Sequence, residues 1–219
     1  MRRFCIATAL ILAMFGLTAR ASGGMSPIGL SLVTPIQVPS YKCDVMGFRL
    51  DLILGRSNEV CGLTLGLVNI TDEAHEGIEL GLVNVERGEM GGIQLGGVNY
   101  TNQDSTGIQS GLVSFTGGTL IGYQDGYIAI TCGDGYGIQL GILFARTSGD
   151  FKGITGGIVN SNGSIAGLQL GLLNLSQDVR GLQLGLVNVT DAMSGFQIGL
   201  INVIVQSPLV VFPIINAYF

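Results

Sequence analysis

From residue 47 onward, apolar and polar positions recur with a period of about 15 residues. Repeats start at 47, 62, 77, 92, 107, 122, 137, 153, 167, 181, 195 and 209, and this position 0 is glycine in all but the last, where Leu209 stands. The step is 15 six times, then 16, then 14. Positions 1 and 6 are apolar or aromatic in all twelve repeats, and position 5 in all but one, where Gly97 stands. Positions 1, 3 and 5 alternate with a Gly, Gln, Gly series at 0, 2 and 4. A period of two predicts a β-strand with one apolar face. Two apolar residues then stand side by side, as in Leu186-Val187. The alternation breaks there, so the strand bends or its faces swap. An Asn at position 7 follows in eight repeats, and a polar turn closes each one.

Internal repeats of this kind predict an all-β solenoid of about 12 short coils, each stacking on its near-copy. In that arrangement the leucines at 1, 3 and 5 form an internal ladder. The Gly/Gln face is displayed outward, and the asparagines stack at a bend with each amide bonding the next. The alternative is a small outer-membrane β-barrel with one strand per repeat, leucines to lipid and Gly/Gln to a polar lumen. The low charge, the even number of repeats and the terminal Phe219 fit a barrel. The short apolar face, the uniform turns and the pure translation of the repeat fit a solenoid better, because spanning strands need about 9–11 residues and alternate in direction.

The array has distinct flanks. Residues 1–21 read as a signal peptide: Arg2 and Arg3, then an apolar run from Phe4 to Leu17, then Ala19-Arg20-Ala21 as a cleavage site. Residues 22–46 form an N-terminal capping strand region, residues 47–208 the repeat array, and residues 209–219 a C-terminal capping unit. That last segment matches positions 0 to 8, with Pro213 in place of a glycine. Proline removes a backbone donor and discourages further strand pairing.

Composition narrows the function classes. Cleavage after Ala21 leaves seven basic against 15 acidic residues, a net charge of −8. That balance speaks against nucleic acid, which needs clustered Lys and Arg. Cys43, Cys61 and Cys132 remain after cleavage. Either a Cys43–Cys61 bridge or unpaired thiols fits an exported chain. With no CxxC and a single His, no metal or other cofactor is expected.

The repeat GLQLGLVN at 181–188, nearly copied at 167–174, resembles a family of bacterial surface-repeat proteins. PIQVP (35–39), the GFRLDLILGRSNEVCGLTLGLVN stretch (47–69) and the ending VFPIINAYF (211–219) carry the same resemblance, which covers residues 26–219. It implies a bacterial, exported, surface-associated protein and brings no catalytic residues with it. The expected location is the cell surface or outer membrane, the periplasm or the exterior. Expected partners are polysaccharide, an envelope component or a second copy, with membrane association as a further option.

Candidate chemistry is sparse. Asn69, Asn99, Asn162, Asn174 and Asn188 match the glycosylation sequon but are mostly position 7 of the repeat. Gly133-Asp134-Gly135 lacks the nine-residue spacing of calcium-binding β-rolls, so its acid reads as a solvated turn residue. His75 stands among Asp72, Glu73 and Glu76 and reads as solvated too. No nucleophile–base set is available, so a non-enzymatic role is expected. The oddest stretch is GYQDGYIAITCGDGY (122–136). Asp125 stands at position 3, where Leu is the rule, with Tyr123 and Tyr127 on the same face and Ser110 at position 3 of the preceding repeat. Ser110, Tyr123, Asp125 and Tyr127 are therefore the candidate polar cleft, because local departures from a pattern often mark sites.

Overall fold

The computed structural model describes residues 24–208 and 210–219; the expected signal peptide, residues 1–21, lies outside the described residues. The fold is an all-β solenoid of about 12 coils. The strands are β1 (Met25–Val33), β2 (Ile36–Val38), β3 (Asp44–Ser57), β4 (Val60–Thr71), β5 (Ala74–Glu86), β6 (Glu89–Thr101), β7 (Ser105–Thr116), β8 (Leu120–Thr131), β9 (Gly135–Leu184), β10 (Val187–Ile204) and β11 (Val211–Tyr218). The chain divides into two compact units, the first ending at Gly111 and the second running from Leu112 to Phe219.

Repeat register and pairing register coincide. In the first unit Gly62 pairs with Gly77 and Asn69 with Asn84, a step of 15. In the second, Gly181 pairs with Gly195 and Asn174 with Asn188, a step of 14. These neighbours run parallel, as stacked coils must, whereas successive strands of an outer-membrane barrel run antiparallel. The ends depart from the array. β1 runs parallel to β3, and β2 folds back antiparallel on β1. β11 also reverses and lies antiparallel to β10, with Phe196 opposite Ala217. The C-terminal segment thus copies the repeat in sequence but not in direction.

The two glycines have separate steric reasons. Eleven position-0 glycines, from Gly47 to Gly195, hold φ between +117° and +150°, which other residues rarely adopt. A Cβ on Gly181 would also overlap the backbone carbonyl oxygen of Gly167, one coil earlier. Position 4 leaves room for the Asn side chain: a Cβ on Gly185 would crowd the amides of Asn174 and Asn188.

The structure reverses the expected faces. The Gln series at position 2 is fully buried, and most of the leucines at 1, 3 and 5 face outward. Gln94, Gln139 and Gln183 are 0% exposed, whereas Leu82 is 62% exposed and Leu172 52%. Alternation separates two faces, but it does not say which one a closed coil turns inward. Amides that bond along the stack satisfy one another there, so their burial carries no unpaired cost. Apolar residues line only part of the interior. In the second unit Leu120, Phe151, Ile165, Val179, Met193 and Ile204 form one buried cluster, all but Ile204 standing two residues before a repeat glycine or its counterpart in the next coil.

Two smaller expectations also resolve. Cys43 is buried and no disulfide joins it to Cys61, whose strand partner is Met46. All five sequon asparagines are buried, four of them completely.

Candidate functional site

The interior is built from amide and hydroxyl ladders. Asn69 Nδ2 donates to Asn84 Oδ1 at 2.9 Å, and Asn84 Nδ2 to Asn99 Oδ1 at 2.8 Å. In the second unit the line runs from Asn160 through Asn174 and Asn188 to Asn202, each step 2.8 Å. The remaining amide proton goes to a backbone carbonyl of the next coil, as from Asn174 to Leu184. A parallel glutamine ladder runs from Gln183 to Gln169 and from Gln197 to Gln183, at 2.6 and 2.7 Å. Threonines brace it: Thr131, at position 9, donates through Oγ1 to Gln124 Oε1 at 3.2 Å, and its register partner Thr147 donates to Gln139 Oε1 at 2.9 Å. The expected Asn ladder is present, and the Gln ladder accompanies it.

The predicted cleft residues lie on the outside of this interior. Tyr123, Asp125 and Tyr127 occupy β8 at positions 1, 3 and 5 of one outward wall, with Tyr127 49% exposed. Asp125 therefore does not enter the ladder, as a leucine-lined core would have required. It pairs in register with Leu140 of the next coil. Its Oδ1 is shielded from water and has no hydrogen-bond partner among the described residues. Burial, then the nearby Asp125 charge, raises the Tyr123 hydroxyl pKa. Ser110 belongs to the first unit, half-buried on β7, where its carbonyl accepts from Asn99 Nδ2 at 2.6 Å.

The charged chemistry sits elsewhere, inside the first unit. Arg49 and Asp51 form an ion pair of 2.7 Å with side chains 2% and 1% exposed. Arg49 also donates to the Ile70 carbonyl at 3.2 Å. Burial raises the Asp51 carboxyl, against the opposing pull of Arg49. His75 is 1% exposed, its Nε2 3.3 Å from Thr64 Oγ1, so the expected solvated histidine is an interior one. Burial lowers its pKa to about 4, and the Arg49 charge adds to the shift. Glu79 takes the glutamine position and accepts from Gln94 Nε2 at 2.9 Å. Glu86 takes a threonine position, and neither of its oxygens meets an N–H or O–H donor. Burial and the adjacent Glu79 hold Glu86 well above the ordinary carboxylate range, and burial raises Glu79 as well. Each carboxylate disfavours the charged form of the other in so small a space. Among the described residues no group of three or more His, Cys, Asp or Glu side chains could hold a metal ion.

Comparison of the chain with protein-family models, curated proteins and solved structures finds no match.

Arg49, Asp51, His75, Glu79 and Glu86 do carry a sequence signal. Each occupies a register position that its neighbours fill with Gln, Gly, Thr or an apolar residue pointing inward. That signal is readable only once the inward positions are known. A leucine-lined interior directs attention to Asp125 instead.

Proposed function

We propose that this chain is an exported, non-enzymatic repeat protein of the bacterial envelope, with a structural or interaction role. The observation that carries the reading is the array itself. Its interior is filled by amides that bond one another, and its outer wall is a regular apolar surface. Such a wall suits contact with an extended or repetitive partner. The resemblance of 167–188 and 211–219 to bacterial surface-repeat proteins supports the same reading, as does the N-terminal export pattern.

The test is expression of the full 219-residue chain in a Gram-negative host, followed by fractionation and intact-mass measurement. The expected product lacks residues 1–21 and is recovered with the envelope. Cytoplasmic recovery with those residues intact would overturn the proposal.

A further inference from the structure

The coils of the second unit have a flattened cross-section with two unlike ends. Position-2 amides bond the hydroxyls of the facing wall: Thr131 Oγ1 to Gln124 at 3.2 Å, and Ser176 Oγ to Gln169 at 3.1 Å. The walls therefore lie face to face. The bend at positions 5 and 6 closes one end, and the polar turn at positions 10 to 14 closes the other.

The bend end is apolar in every coil. Position 5 runs from Leu112 to Leu200 in seven coils, each residue apolar or aromatic and 43–67% exposed. Backbone bonds from Leu186 N to Leu172 O and from Ile201 N to Leu186 O, both 3.0 Å, hold these residues in register. With coils about 4.8 Å apart, they form a continuous ridge. Position 6 adds Leu143 and Ile201 on one flank, and position 3 adds Leu170 and Ile198 on the other, all outward.

Charge is segregated to the other end. Of the charged side chains in residues 112–219, Asp134, Asp150, Lys152, Asp178, Arg180 and Asp191 lie at or beside the turn. Only Asp125, at position 3, and Arg146, at position 9, stand before the turn. The array of the second unit is thus amphipathic around its circumference, as an interfacial helix is around its axis, with charged turns in the coils that start at 122, 137, 167 and 181.

We propose that the leucine ridge of the second unit seats in the acyl boundary of a phospholipid bilayer, with the acidic turn end in water. The proposal rests on the envelope reading above. Charge complementarity selects lipid: seating the ridge strips water from almost no ionised group, and the acidic end stays hydrated. Shape selects it too. The apolar residues wrap around the bend onto both flanks, so a fluid apolar layer covers them together, whereas a flat second copy would cover one wall. The acidic chain calls for a zwitterionic surface.

The experiment is co-flotation of the mature chain, residues 22–219, with phosphatidylcholine vesicles at low and high salt. The expected result is binding that salt does not weaken. Leu172→Ser, Leu186→Ser and Leu200→Ser combined should cut the bound fraction tenfold or more, with circular dichroism and melting close to the parent's. Asp178→Ser with Asp191→Ser should bind as the parent does. A parent chain that stays monomeric and leaves the vesicles bare would overturn the proposal, as would a ridge variant that floats as well as the parent. A dimer by light scattering that the ridge variant dissolves, with bare vesicles, would assign the ridge to a second copy and overturn the lipid proposal. Signal processing and envelope recovery would be untouched by any of these failures.

Discussion

Single residues in this chain are constrained by what stacks on them. Gly181→Ala places a Cβ against the Gly167 carbonyl at φ +137°. The expected cost is about 3 kcal/mol or more, from strain plus overlap, read by urea denaturation. Asn174→Ala leaves Asn160 without its acceptor and Asn188 without its donor. Buried groups left unpaired in this way cost about 1–3 kcal/mol each, so Asn174→Ala should destabilise more than any exposed leucine substitution. The titrating residues give opposite pH limbs. His75 falls from 6.5 to about 4 on folding, so the unfolded chain takes the proton first as pH drops. Stability is then lost as pH falls from 6.5 through about 4, by up to ~3 kcal/mol, and His75→Gln should abolish that limb. Glu86 shifts the other way: its folded pKa is raised, so the folded chain holds a proton that the unfolded chain releases. Stability is lost as pH rises above 4.5 toward that raised value. Glu86→Gln should flatten the alkaline limb and leave the variant more stable than the parent at pH 8, as measured by melting across pH.

At the scale of the coil, polarity and burial are inverted relative to ordinary globular proteins, and the substitutions should follow the inversion. Gln183 is 0% exposed and links Gln169 to Gln197. Gln183→Leu should cost about 2 kcal/mol or more, although it adds hydrophobicity, because both neighbours lose a partner. Leu200→Ser, at a residue 67% exposed, should change stability by about 0.5 kcal/mol or less. Coil stacking also makes the array modular. Removing residues 167–180 takes out one 14-residue step and brings Asn160 to Asn188. That deletion should still fold, with a proportionally smaller urea m-value, as nearest-neighbour arrays do. Much of the coil was legible in advance. The repeat register, the bend at positions 5 and 6 and the Asn ladder all follow from the repeat. The reversal of β11 does not. Leu209–Ala217 follows the apolar pattern of positions 0 to 8, with Pro213 in place of a glycine, and chain direction at a terminus is set by which edge pairs with it.

For the whole molecule, the decisive property is an apolar exterior over a hydrogen-bonded polar interior. Monomers in water rarely expose contiguous apolar surface beyond a few hundred Å². The mature chain should therefore aggregate in plain buffer and stay dispersed in mild detergent, and the triple ridge variant should need less detergent, as light scattering would show. The sequence by itself determined the period, the strand, the glycine pitch and the parallel stacking. Each of these depends on a residue meeting its own copy one repeat away. Only the tertiary structure decided which face closed inward, and with it the placement of His75, Glu79, Glu86 and Asp125. Alternation encodes two faces of a strand symmetrically. The choice between them belongs to the closed coil, where position-2 amides find partners both along the stack and across the interior, while the leucines are left to the outside.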